Sequence, residues 1–293
     1  MTLIVRASHR KPIPRCNYTQ GPMGAKTEPA TQGRLRAYLR SIGVEELPPA
    51  TSPFDPGYDP VTLESHLRQS AHLMSSLKIS MACWQIADES ASREKFAAAR
   101  RYGVPPSTGG GPFEVAVAQK HLDQYLDLAA DMGAELIECG SGFTEMSLSP
   151  KTVLDKATQR GLRVQYELGE KHGGSFGDDT VAALIERGQS WLDAGAVQLV
   201  IEARESAQEV GLFDDQGDLN QRLADRFADT FGLGQVMFEA PNKASQFALL
   251  DHFGNRVRLC NVRLEEILRV EIYRRGLHSD AFRRENLRPR FPA

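Results

Sequence analysis

The sequence predicts an α/β protein, a (β/α)8 TIM barrel with an N-terminal extension. Three observations predict it. Short apolar runs rich in β-branched and aromatic residues alternate with helical patterns, about eight such units follow one another from Phe54 without linker-like composition, and the 293 residues exceed the about 250 that this fold needs. Strands separated by single helices imply right-handed crossovers and a parallel sheet, and eight is the number that closes a barrel. An open doubly wound sheet is the competing arrangement.

Residues 1–30 are rich in Pro, Arg, Lys, Thr and Gly without apolar periodicity, so we read residues 1–45 as a mobile arm ending in a short helix. That helix follows from the spacing of Leu35, Tyr38, Leu39 and Ile42 and stops at Gly43. The barrel domain is expected over residues 46–283, followed by an Arg-rich tail at 284–293. A first strand around 53–55 leads to a helix through Leu63, Leu67 and His72. A second strand at 77–83 precedes a helix at about 92–101. From Val104 a short strand breaks into the loop Gly109-Gly110-Gly111, and one helix is expected through Val117, Leu122, Tyr125, Leu126 and Ala129. The remaining strands are the runs 134–139, 163–167, 197–202, 235–239 and 256–261.

Composition narrows the function. With 41% hydrophobic and 25% charged residues, a net charge of -3 and a pI near 6.2, the chain is a mildly acidic solute able to bury a sizeable core. It lacks the basic excess of a protein that binds nucleic acid through phosphates, so the expected partner is a small anionic substrate. No apolar run approaches the ~18 residues of a membrane span. Cys16, Cys83, Cys139 and Cys260 form neither a CxxC pair nor a zinc-finger spacing, and a reducing cytoplasm with inert thiols is the expectation. We also expect a homo-oligomer.

Four consecutive strands end on a glutamate: Glu138, Glu167, Glu202 and Glu239. In a barrel these gather at the C-terminal rim, where active sites of this fold lie. Adjacent strands run about 4.8 Å apart, so several ionised carboxylates there repel unless cations neutralise them or some take up protons. Lys78, Lys171, Arg204 and Lys243 supply positive charge nearby. Mg2+, held by one or two carboxylates and substrate oxygens, is the expected cofactor, with the basic side chains pairing with substrate carboxylate or phosphate. Any one such glutamate alone reads as a structural ion-pair partner; four in sequence do not. Gly109 and Gly110 are placed to bring backbone N–H groups to an anion, which an ordinary glycine turn would also explain. His172, beside Gly173 and Gly174, reads as a bystander.

The series Phe113-Glu114, Ile137-Glu138, Glu167-Leu-Gly-Glu-Lys171, Val200-Ile-Glu-Ala-Arg-Glu-Ser206, Phe238-Glu-Ala-Pro-Asn-Lys243 with Gln246, and Glu271 with Arg275-Gly-Leu277 resembles the phosphosulfolactate synthase family. The resemblance implies a Mg2+-dependent (β/α)8 lyase that adds sulfite to phosphoenolpyruvate on the route to coenzyme M. It implies Lys171 as acid/base with Glu167, metal positions at Glu138, Glu202 and Glu239, and substrate contacts from Lys78, Arg204, Lys243, Gly109, Gly110 and Asn261. The chain departs from the family pattern at Glu170, where another lysine is usual, at Gly140-Ser-Gly142, at Arg258 and at His278. Two further readings fit those departures: an enzyme joining a different nucleophile to phosphoenolpyruvate or an enol acid analogue, and a non-catalytic stress or assembly barrel.

Overall fold

A computed structural model describes residues 30–290, so the arm proper and the last three residues of the tail lie outside the described residues. The chain divides into a unit reaching Tyr38 and a second from Leu39 onward. Helix α1 (Ala30–Ser41) has the expected helical span, with Leu35 and Tyr38 exposed.

The second unit is a closed parallel barrel in which β1 (Thr51–Asp55), β2 (Leu77–Ile79), β3 (Pro106–Thr108), β4 (Leu136–Cys139), β5 (Arg163–Leu168), β6 (Gln198–Ile201), β7 (Val236–Glu239) and β8 (Leu259–Arg263) pair in sequence order. Thr51 opposite Leu259 closes it, so the competing open sheet is excluded. The helices on the outside are α2 (Pro60–Ser70), α3 (Cys83–Ile86), α4 (Glu89–Arg101), α5 (Gly110–Ala118), α6 (Leu122–Met132), α7 (Pro150–Thr158), α8 (Asp178–Ala194), α9 (Gln221–Phe231), α10 (Lys243–Phe253) and α11 (Ile267–Arg274). Local chemistry sets several of their ends. Asp59 accepts from the Val61 and Thr62 amides ahead of Pro60, Asn242 and Ser245 form a capping box, and left-handed glycines at Gly133 and Gly195 stop α6 and α8.

Three sequence expectations shift. The run 77–83 is strand only to Ile79, because Met81 adopts φ 49° and Cys83 opens α3. The single helix expected through 117–129 is two, since Lys120 turns at φ 61° and the His121 amide closes back on the Ala116 carbonyl at 2.7 Å. The last strand begins at Leu259 and runs to Arg263, two residues past the expected end. In each case a short apolar run had no periodicity with which to mark its boundary.

Alternation along the strands divides the core. Leu199, Ile201 and Phe238 pack under the helices, with Tyr166 stacked on Trp191 at 4.0 Å, while Val200, Met237 and Cys260 form a separate apolar cluster. The N-terminal end of the barrel is tied by fully buried Arg274. It donates to Glu271 at 3.0 Å, to the Thr51 hydroxyl at 3.0 Å and to the Asn255 and Val257 carbonyls at 2.8 and 2.6 Å. Polar residues thus hold the strand starts, leaving the strand ends for chemistry. Among the described residues no helix is long and apolar enough to cross a membrane.

Candidate active site

Strand register decides which carboxylates meet. Glu138 lies opposite Gln165, and Glu239 lies opposite Cys260, so the glutamates are staggered around the rim. All four, Glu138, Glu167, Glu202 and Glu239, are buried. Each is held by specific donors. Glu138 accepts from Lys78 Nζ at 2.8 Å, from Gln165 Nε2 at 2.8 Å and from the Gly110 amide at 3.1 Å. Lys171 Nζ bridges Glu167 at 3.1 Å and Glu202 at 3.0 Å. Glu239 accepts from the Ala203 and Arg204 amides at 2.8 and 3.0 Å and from Asn261 Nδ2, while Asn261 Oδ1 accepts from Lys78 at 2.8 Å. A continuous network therefore runs from Glu138 through Lys78 and Asn261 to Glu239.

Burial makes this an electrostatically tense arrangement. Four carboxyls face two ammonium groups, Lys78 and Lys171, leaving two negative charges uncompensated if all are ionised. Burial, then the neighbouring Glu202 charge, pushes the Glu167 carboxyl well above the usual range. The same two causes raise Glu239. Burial also acts against ionised Glu202, but the Lys171 ammonium and hydrogen bonds from Glu167 and Glu239 overcome it and bring that carboxyl down to about 2. Glu202 is thus held low while its neighbours Glu167 and Glu239 are held high. Burial opposes the charge on both lysines, yet Glu138 beside Lys78, and Glu167 and Glu202 beside Lys171, hold each ammonium above its ordinary value.

The network opens into a cavity of about 1350 Å³ lined by Lys78, Gly109, Gly110, Glu138, Glu167, Lys171, Glu202, Arg204 and Asn261. The remaining site candidates lie elsewhere. Glu239 is not on the cavity wall but behind Asn261 and the 203–204 backbone. Lys243 is exposed at the start of α10, its Nζ 5.1 Å from the Phe247 ring centroid and 3.9 Å from Asp280, and it is not part of the cavity lining. Arg204 reaches the lining, but its backbone amide, at φ 55°, serves the glutamates. Gly110 spends its amide on Glu138. A Cβ on Gly109 would stand 3.0 Å from the Met81 amide nitrogen, so close approach of backbone explains that glycine. His172 is exposed. Arg258 donates to the Gly234 carbonyl at 3.0 Å, ahead of β7 and away from the strand ends, and His278 packs against Phe247, its ring centroid 5.2 Å away. Neither enters the cavity.

Sequence reasoning missed Arg263 and Gln165 and gave Glu114 no role beyond its place in the motif series. Arg263, the last residue of β8, lines the cavity, and ending that strand at 261 hid it. Gln165, an interior polar residue two before Glu167, orients Glu138. Glu114 accepts the amides of Gly142, Phe143 and Thr144, each at 3.0 Å, and the Lys171 amide donates to the Gly142 carbonyl at 2.9 Å. A Cβ on Gly142 would lie 3.0 Å from Lys171 Cγ, so Glu114 and this glycine together seat the lysine. A buried glutamate in an apolar helix was the available signal.

Among the described residues no three His, Cys, Asp or Glu side chains converge as a metal cage. The donor set still suits a hard divalent ion held by one or two carboxylates, because such an ion would supply the two positive charges the ring lacks. Glu167 and Glu202 are the carboxylates that face the cavity without the full set of partners that occupies Glu138.

Known proteins are similar to this chain in sequence. A phosphosulfolactate synthase of Methanocaldococcus jannaschii is 31% identical over 229 residues, covering 78% of this chain and 91% of the relative. Proteins of the same name from Methanothermobacter thermautotrophicus and Bacillus subtilis are 28% and 27% identical, covering 81% and 64% of this chain and 92% and 75% of their own lengths. The model of the family described as (2R)-phospho-3-sulfolactate synthase (ComA) matches residues 49–280, from just before β1 to just past α11, and the chain belongs to that family.

Proposed function

We propose that the protein is a lyase adding sulfite to phosphoenolpyruvate to give phosphosulfolactate, with Lys171 as the proton donor. The observation that carries this reading is the Lys171 ammonium, 3.1 Å from Glu167 and 3.0 Å from Glu202 on the wall of the barrel cavity. A sulfite lone pair forms the C–S bond at the methylene carbon, the C=C electrons move toward C2 and the carboxylate, and C2 takes a proton. Lys171 stays protonated through neutral pH and so holds that proton ready. Glu167, whose carboxyl burial and the Glu202 charge hold above its usual range, is the neighbour 3.1 Å away that would return a proton to the amine. Lys78, Arg204 and Arg263 on the cavity wall are the cationic side chains that would pair with the carboxylate and phosphate of the substrate. Asn261 holds Lys78 toward the cavity.

Mg2+ is the proposed cofactor, which Glu202, the carboxyl held low, would bind together with substrate oxygens, and when bound it would supply charge stabilisation for the substrate carboxylate. Protein incubated with Mg2+, phosphoenolpyruvate and sulfite should yield a new phosphate monoester resonance in phosphorus NMR, absent with Lys171→Ala. No product above the buffer control would overturn the reading.

A further inference from the structure

The N-terminal end of the barrel, opposite the glutamate network, carries a second cavity of about 420 Å³. Arg274, Arg275, Arg288 and Arg290 line it together with Asn255 and Asn286. Arg274 is fully buried and its donors are largely spent on Glu271, Thr51 and the 255 and 257 carbonyls, so it lends field. Arg275 shares Glu271. Glu45, also on the wall, accepts from Asn255 Nδ2 at 3.0 Å. Glu45 also meets Arg256 at 3.9 Å, so the guanidiniums around this cavity outnumber Glu45 and Glu271 and leave a net positive surplus. Arg288 and Arg290 are exposed, and among the described residues neither meets a carboxylate.

The wall is built and not incidental. Leu287 is buried, Asn286 Nδ2 donates to the Asp251 carbonyl at 2.9 Å, and Arg284 pairs with Asp251 at 2.9 Å. A Cβ on Gly276, at φ 69°, would stand 2.3 Å from the Leu287 carbonyl oxygen and 2.7 Å from Pro289 Cδ, so the tail seats directly on this glycine. Residues 43–47 and 286–290, which supply most of the wall, fall outside the family match at 49–280. The cavity stands at the end of the barrel away from the glutamate network.

We propose that this cavity binds a phosphate dianion, either free or as the monoester of a small molecule, gripped by the Arg288 and Arg290 forks with Arg275 behind them. The net positive surplus favours an anion, and planar guanidiniums pair with phosphate through two parallel hydrogen bonds.

Isothermal titration of the full chain with inorganic phosphate and, separately, glycerol phosphate, at constant chloride, tests this. Saturable binding is expected, weakened ~10-fold or more in Arg288→Ala/Arg290→Ala. The Lys171→Ala variant should retain it, which separates this site from the barrel mouth. Arg288→Lys/Arg290→Lys keeps the charge but loses the fork, so binding should fall by less. Tighter binding of glycerol phosphate assigns an ester, and tighter inorganic phosphate the free ion. Absence of saturable binding, or binding lost with Lys171→Ala but unchanged in the double arginine variants, overturns the proposal whatever the outcome of the turnover assay.

Discussion

Lys171 Nζ stands 3.0 Å from the Glu202 carboxylate, although the two residues come from different strand ends and are 31 positions apart. This contact joins the loop after β5 to the turn after β6. It helps hold the Glu202 carboxyl low, while Glu167 beside it is raised.

Removing the ammonium should remove the acid. Lys171→Ala is expected to lower turnover by ~10²–10⁴-fold, the usual worth of a positioned proton donor. Steady-state kinetics followed by phosphorus NMR provides the measurement.

The two neighbours of Lys171 should respond to pH in opposite senses. Glu167 titrates near 4.5 unfolded and well above that when folded, so its stabilisation is present below 4.5 and is lost as pH rises through the folded value. Glu202 is lowered to about 2, so its stabilisation is present above 4.5 and is lost as pH falls toward 2. Glu167→Gln should therefore gain stability over the parent as pH rises above 4.5, while Glu202→Gln should flatten the loss between 4.5 and 2. Thermal unfolding across a pH series would show both.

Lys78 and Glu138 form a pair that is 7% and 2% exposed at the side chain. Lys78→Met leaves Glu138 buried without its cation and should cost about 3–5 kcal/mol. Adding Glu138→Gln should restore much of that, as a denaturant double-mutant cycle would reveal.

Gly169, inside the Glu-Leu-Gly-Glu-Lys segment, has φ 139°, and a Cβ there would lie 2.6 Å from Glu202 Cβ. Gly169→Ala should cost about 1–3 kcal/mol in backbone strain and further lower turnover by displacing Glu202. Equal activity and stability in variant and parent would contradict this geometry.

Arg258 and His278 depart from the family pattern but point away from the cavity. Arg258→Ala and His278→Ala are expected to leave KM for phosphoenolpyruvate within about twofold of the parent, since neither side chain lines the cavity. Steady-state kinetics decides it.

The sequence by itself determined the barrel, its eight strands and the four glutamates at consecutive strand ends, because period, β-branched runs and turn residues are local properties that neighbours along the chain express directly. It also carried the family's motif series. Only the tertiary structure decided that Glu239 sits behind the cavity wall while Glu138 is already saturated by Lys78, Gln165 and Gly110. The same holds for Lys243 turning toward Phe247 and Asp280, and for Arg263 reaching the cavity in its place. Strand register and burial set those outcomes. Both depend on residues far apart in sequence, and a carboxylate's charge depends on the distances that register imposes.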